Sequence, residues 1–184
     1  GDYNGNDTRH FFIPELGYVK QFSPQLSGGV AIYGNGGMNS DYANNPLAAF
    51  GGTGNAGVDL SQLFISPSLA YKITPDHSIG IAVNIAYQRF KAYGIPALFG
   101  NFSESPTNMS DNGYDSAWGW GGRIGYTGKI TPELTIGATY ATKTYMGSFD
   151  KYTALFAEQG GFDIPANFGV GVACKAMPER ALAA

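Results

Sequence analysis

Four stretches of this chain alternate apolar side chains with small or polar ones. Ile79, Ile81, Val83, Ile85 and Tyr87 fall on one face, with Ser78, Gly80, Ala82, Asn84, Ala86 and Gln88 on the other. Trp118, Trp120, Ile124 and Tyr126 oppose Gly119, Gly121, Arg123, Gly125 and Thr127. Leu134, Ile136, Ala138 and Tyr140 oppose Thr135, Gly137, Thr139 and Ala141. Phe168, Val170, Val172 and Cys174 oppose Asn167, Gly169, Gly171, Ala173 and Lys175. A period of two marks β-strands with one apolar face. The pattern predicts strands near 11–22, 26–35, 61–73, 77–93, 114–130, 133–147 and 163–175, with an eighth beginning near 179.

A recurring turn motif punctuates these strands. It combines a lysine, a Ser-Pro or Thr-Pro pair and an acidic or amide residue. Lys20, Ser23, Pro24 and Gln25 form one copy, and Lys72, Thr74, Pro75 and Asp76 a second. Lys129, Thr131, Pro132 and Glu133 form a third, and Lys175, Met177, Pro178 and Glu179 a degenerate fourth. Proline fixes φ early in a tight turn, and the residue after it suits the turn exit. The copies lie too far apart for one hairpin arm and about right for two strands plus a long loop. Long loops near 36–60, 94–113 and 148–162 therefore alternate with short turns. That asymmetry belongs to outer-membrane β-barrels. Tyr18, Tyr71 and Tyr126 sit near the short-turn ends, where an interfacial aromatic girdle is expected.

Composition agrees with strands. Of 184 residues, 27 are glycine, 12 tyrosine and 12 phenylalanine, which suits sheets and turns better than helices. A formal net charge of −3 provides no basic footprint for nucleic acid. Mean hydropathy is close to neutral, as it is for barrel strands that face lipid on one side only. No apolar run is long enough for a membrane-spanning helix. The polar opening, Gly1 to Asp7, reads as internal to a longer protein. Period two alone does not say which face turns inward. A soluble sandwich or lipid-binding barrel with its apolar face inside remains the alternative.

Several stretches resemble the FadL-type outer-membrane transporters of long-chain fatty acids and other hydrocarbons. They are Gly57 to Leu63 with Pro67 to Lys72, then Tyr87 to Gly94, then Gly137 to Tyr140 with Met146 to Tyr152, and Phe162 to Gly171. The resemblance runs from about 11 to 178. It implies an all-β fold, an antiparallel transmembrane β-barrel of the outer membrane, here a partial barrel of about seven to eight strands. Residues 1–184 are then expected to form a single domain, the central part of the barrel, without the family's N-terminal hatch and C-terminal strands. The resemblance further implies a monomer when full length, set in outer-membrane lipid and lipopolysaccharide. Its ligand is a long-chain fatty acid or another hydrophobic compound. Transport is passive and needs no cofactor.

In that family, ligand lands between protruding loops, enters the barrel, and leaves sideways beside a kinked third strand. The strand at 26–35 corresponds to the kinked one, and it runs into glycines. Gly34, Gly36 and Gly37 are the candidate lateral opening; the alternative is that they only begin a loop. Candidate ligand contacts are Phe90, Leu98, Phe99, Leu155 and Phe156, with Arg89 and Lys91 as available cations. Arg89 and Lys91 are otherwise ordinary lumen or rim charges. Three apolar clusters sit in the loops: Leu47 to Phe50, Ile95 to Phe99, and Tyr152 to Ala157. They form either a landing site for hydrophobic ligand or a lid packed on itself. The last is expected to make a short amphipathic helix after Asp150.

Chemistry of other kinds finds little support. The two histidines, His10 and His77, offer neither a hydrolase constellation nor a metal cluster. Gly51 to Gly54 lacks the lysine of a phosphate loop. No enzymatic activity and no metal are expected. The remaining rivals are a general porin, or a structural or adhesive barrel. The scarcity of lumen charges speaks against a porin.

Overall fold

The structure is a computed structural model that describes residues 3–156, 158–177 and 180–183. It is one antiparallel sheet of nine strands, with eight on a continuous path in chain order. These are β1 (Glu15–Gln21), β2 (Leu26–Tyr42), β3 (Ala56–Thr74), β4 (His77–Tyr93), β5 (Asp115–Lys129), β6 (Leu134–Ala141), β8 (Asn167–Met177) and β9 (Arg180–Ala183). The two-residue β7 (Tyr145–Met146) pairs with β5 beyond the end of β6. The sheet runs from β1 to β9 without closing.

The short turns are built by the motif. The Ser23 hydroxyl accepts from the Gln25 and Leu26 amides at 3.2 and 3.0 Å. Thr74 does the same for Asp76 and His77 at 3.3 and 3.1 Å, and Thr131 for Glu133 and Leu134 at 3.3 and 3.1 Å. Proline between them cannot donate and pre-sets φ. A further role of the repeat emerges only in three dimensions. The Lys72 amide donates to the Gln25 carbonyl, Lys129 to Asp76 and Lys175 to Glu133, each at 2.8 Å. The lysine backbones of the last three copies thus tie to the preceding turns along the rim. The fourth copy's Pro178 and Glu179 lie outside the described residues.

The faces separate as a membrane wall requires. Ile81 is 57 % exposed and Trp120 66 %, whereas Asn84 is 2 % and Gln88 0 %. The apolar face therefore points outward, and the small and polar face points inward. This excludes a soluble barrel with an apolar interior. Inside, Ala70, Gly80, Gly125, Thr139 and Gly169 lie side by side across five strands. These small side chains floor an open cavity of about 540 Å³ near the short-turn end.

Several boundaries differ from the sequence expectation. The strand expected at 11–22 begins at Glu15, because Pro14 has no N–H for the ladder. The strand expected to end at 35 continues to Tyr42, and its partner begins at Ala56 rather than 61. A single unpaired residue, Asn35, absorbs the irregularity, since Gly34 faces Leu63 and Gly36 already faces Gln62. The first long loop is thereby shortened to 43–55. The strand expected at 133–147 breaks after Ala141. One extra residue lies between the Ala141–Arg123 and Tyr145–Trp120 pairs, and the Thr142 hydroxyl accepts from the Gly122 amide at 2.9 Å. The strand expected from 163 starts at Asn167, because Pro165 interrupts the ladder. After Asp150 the described residues form only a three-residue 3-10 turn, Asp150–Tyr152, and no longer helix; Ala157, at the end of the expected helix, lies outside them.

Candidate functional site

The bulge at Asn35 changes the wall around it. Before it, Val30 and Ile32 point outward; after it, Met38 takes an inward position opposite Leu60. Gly34 and Gly37 face outward and Gly36 inward. On the β1 side, pairing ends at Glu15–Tyr33. It resumes only where the Asp7 amide donates to the Asp41 carbonyl at 3.2 Å and the Asp41 amide to the Gly5 carbonyl at 2.8 Å. Between these two points, among the described residues, no backbone hydrogen bond joins 8–14 to 34–40. The result is an unpaired stretch, a window in the hydrogen-bond ladder, framed by pairing at both ends. Ile13 sits in it, and a β-carbon on Gly34 would meet the Ile13 Cγ2 at 2.6 Å. A side chain on Gly34 would therefore require the exposed Ile13 side chain to move. The upper frame is reinforced by the Thr8 hydroxyl donating to the Asp41 carboxylate at 2.8 Å and the Asn55 amide at 3.2 Å.

The candidate ligand contacts fall in three places. Phe90, Leu155 and Phe156 come together inside. There the loop 148–162 folds back over the inner face, and Phe90 meets Phe149, Tyr152 and Phe156 at ring distances of 5.6, 5.0 and 5.0 Å. Leu60, Ala92 and Ala117 complete this core. Leu98 and Phe99 lie instead at the loop tips, where Phe99 packs on Phe50 at 5.8 Å while Leu98, Phe50 and Phe102 stay exposed. The Ile95 and Leu155 clusters therefore pack as a lid in part, and the tips present an apolar patch. Arg89 and Lys91 do neither. They flank Phe90 in β4, so period two turns them outward, away from the interior.

Two inner-face groups escaped the sequence reading as ligand contacts. Gln88 is fully buried, donates its amide to the Phe162 carbonyl at 3.2 Å, and leaves its Oε1 without a partner among the described residues. Arg123 Nε is likewise buried and unpartnered. Both were visible as polar residues on the small-residue face. Nothing in the sequence said that they would be the inward face's unsatisfied donor and acceptor.

The lid is anchored at its far end by charge. Lys143 Nζ lies 2.6 Å from the Asp163 carboxylate, which also accepts from the Met146 amide at 2.7 Å. The lysine, and then the Met146 amide, hold the Asp163 carboxyl below its ordinary value of 3.8. A depressed folded-state value stabilises above the unfolded value and is lost as pH falls through the folded one. Hydrogen exchange of the Thr144 and Ile164 amides, corrected for intrinsic rate, is therefore expected to accelerate only below the ordinary carboxylate value. Asp163→Asn should show the fast rate at neutral pH. Equal protection in wild type and variant at pH 7 would remove this anchor.

Known proteins carry the same architecture. The family model of outer membrane protein transport proteins (OMPP1/FadL/TodX) matches residues 2–174. The Pseudomonas putida toluene transporter TodX superposes with a TM-score of 0.69 at 20% identity, covering 93% of this chain and 52% of its own. The CymD monoaromatic hydrocarbon channel does so with a TM-score of 0.61, at the same identity and coverages. This chain thus spans about half the length of these structures. Among functionally curated proteins, none matches it. With an outward apolar face, short turns on one rim, and a family match over nearly its whole length, the chain belongs to the outer membrane protein transport protein family (OMPP1/FadL/TodX).

Proposed function

We propose that the protein passes hydrophobic molecules passively across the outer membrane, with long-chain fatty acids and monoaromatic hydrocarbons as the two substrate classes. The observation that carries this is the window between 8–14 and 34–40. A closed wall would pair these segments, and a water-filled porin gains nothing from a gap facing lipid. Ligand first meets the exposed tips at Phe50, Leu98 and Phe102. It then passes Phe90, Leu155 and Phe156 into the interior, where Gln88 and Arg123 offer polar contacts. It leaves at Gly34, Gly36 and Gly37 into the lipid. Burial of alkyl chain, roughly 0.8 kcal/mol per CH₂, supplies the capture. The route uses no cofactor and no covalent step. Structures similar to this one carry the names of a toluene transporter and a monoaromatic hydrocarbon channel, which supports the aromatic class.

The test is uptake in cells lacking their own hydrophobic-compound transporters. Expression of the full-length protein is expected to restore entry of labelled oleate, labelled toluene or both, at an initial rate proportional to the outside concentration. Cells that accumulate neither compound faster than the empty-vector control would defeat the proposal.

A further inference from the structure

The outward face of the sheet changes character at one level. On β3, β4 and β5 it is apolar up to Leu63, Tyr87 and Trp118, and the Tyr87 and Trp118 rings meet at 5.0 Å. The next outward positions are Ser61, Arg89 and Ser116, followed by Asp59 and Lys91. Tyr114 stands just past the start of β5 on the loop side. Successive residues on one face advance about 7 Å along a strand. The two cations therefore stand directly above the apolar band and its aromatic edge, on the rim with the long loops, at the depth of lipid head groups.

Their arrangement is specific. The Arg89 guanidinium lies over the Tyr114 ring, 4.2 Å from its centre. Lys91 Nζ lies 5.5 Å from the same centre and 4.6 Å from that of Tyr93. Two like charges are thus gathered at one ring. Neither has a carboxylate within ion-pair distance among the described residues. The nearest acid across the ladder, Asp59, accepts instead from the Tyr114 hydroxyl at 2.6 Å. Asp41 is taken up by Thr8 and Asn55. An anion between the cations would relieve their repulsion. A guanidinium backed by a ring keeps its planar edge free, and that edge matches two phosphate oxygens.

We propose that Arg89 and Lys91 hold a phosphate of an outer-leaflet glycolipid, of the lipid A type, against the barrel wall. The inference rests on reading this chain as the wall of an outer-membrane barrel and not on the identity of the transported molecule. It assigns the two cations to the membrane rather than to the transported ligand.

The experiment titrates the purified full-length protein with bis-phosphorylated lipid A and, separately, with its dephosphorylated form, reading retention by native mass spectrometry. The phosphorylated lipid is expected to bind more tightly. Arg89→Gln combined with Lys91→Gln is expected to weaken it by about tenfold or more, the size of lost charge-assisted hydrogen bonds. Lys129→Gln on the opposite rim should leave it unchanged. Heat-modifiable mobility on gels confirms that each variant is folded. Equal binding of the two lipids, or wild-type binding by the double variant, would overturn the proposal. So would a double variant that keeps its lipid but loses hydrocarbon uptake, since the cations would then serve the transported ligand. A wild type that binds phosphorylated lipid A yet takes up no hydrocarbon supports the lipid site and defeats only the transport reading.

Discussion

Oxidation of a cysteine pair across the window, Ile13→Cys with Gly34→Cys, is expected to stop uptake, and reduction to restore it. The geometry favours the bond. A β-carbon on Gly34 lies 3.9 Å from the Ile13 β-carbon, inside the range of about 3.5–4.5 Å that a disulfide spans. The isoleucine methyl that would clash at 2.6 Å is removed by the same substitution. The exposed Cys174 is best replaced by serine first, so that it cannot compete. The crosslink joins two segments that share no backbone hydrogen bonds among the described residues, and so closes the proposed exit. Uptake in oxidised cells should fall to the empty-vector level, and the single variants should not respond to reductant. A fully crosslinked protein that still transports at the wild-type rate would send the exit route elsewhere.

Phe90→Ala should release the lid. Phe90 is nearly fully buried and touches three aromatic rings of loop 148–162, so truncation leaves a cavity at the centre of the only large apolar core in the described residues. Comparable truncations cost roughly 3–5 kcal/mol. The strands keep their ladders, because Phe90 supplies packing and not pairing. The loss should therefore be local. Amides of Phe149, Tyr152 and Leu155 should exchange faster by orders of magnitude, while those of β3 and β4 near the short turns stay protected. Phe90→Leu, which keeps most of the volume, should fall between. Unchanged protection at Tyr152 in the alanine variant would show that the loop is held by its polar contacts instead. Those include the Asn112 amide donating to the Lys151 carbonyl at 3.0 Å and the Asn108 amide donating to Asp150 at 2.9 Å.

The two predictions probe parts of the site that were unequally legible in the sequence. The window glycines could be named because glycine inside a strand is unusual. Read alone, Gly34-Asn35-Gly36-Gly37 also looks like the start of a loop. Whether β2 ends or bulges there depends on Leu60, Ser61 and Gln62, which lie far along the chain and supply the partner ladder. The lid core was half legible. Phe90 and Phe156 stood out as candidate contacts and Tyr152 only as part of a loop cluster, but Phe149, fully buried, was not singled out as a ligand contact. Their burial comes from a loop reversing onto the sheet, for which no periodicity exists.

Arg89 and Lys91 show the limit most clearly. Their neighbour Phe90 invited grouping all three as one ligand site. Adjacent residues of a strand point to opposite faces, so the three do not share one face once Phe90 is inside.

What the sequence determined by itself is therefore the local physics. Alternation set β4 at 77–93, and Ser-Pro and Thr-Pro chemistry set the short turns. The tertiary structure alone decided which face points outward, where the pairing between the first strands lapses, and on which side each charge stands. A period of two is symmetric between the faces of a sheet. Only the loop packed on Gln88 and Phe90, and the register between distant strands, break that symmetry.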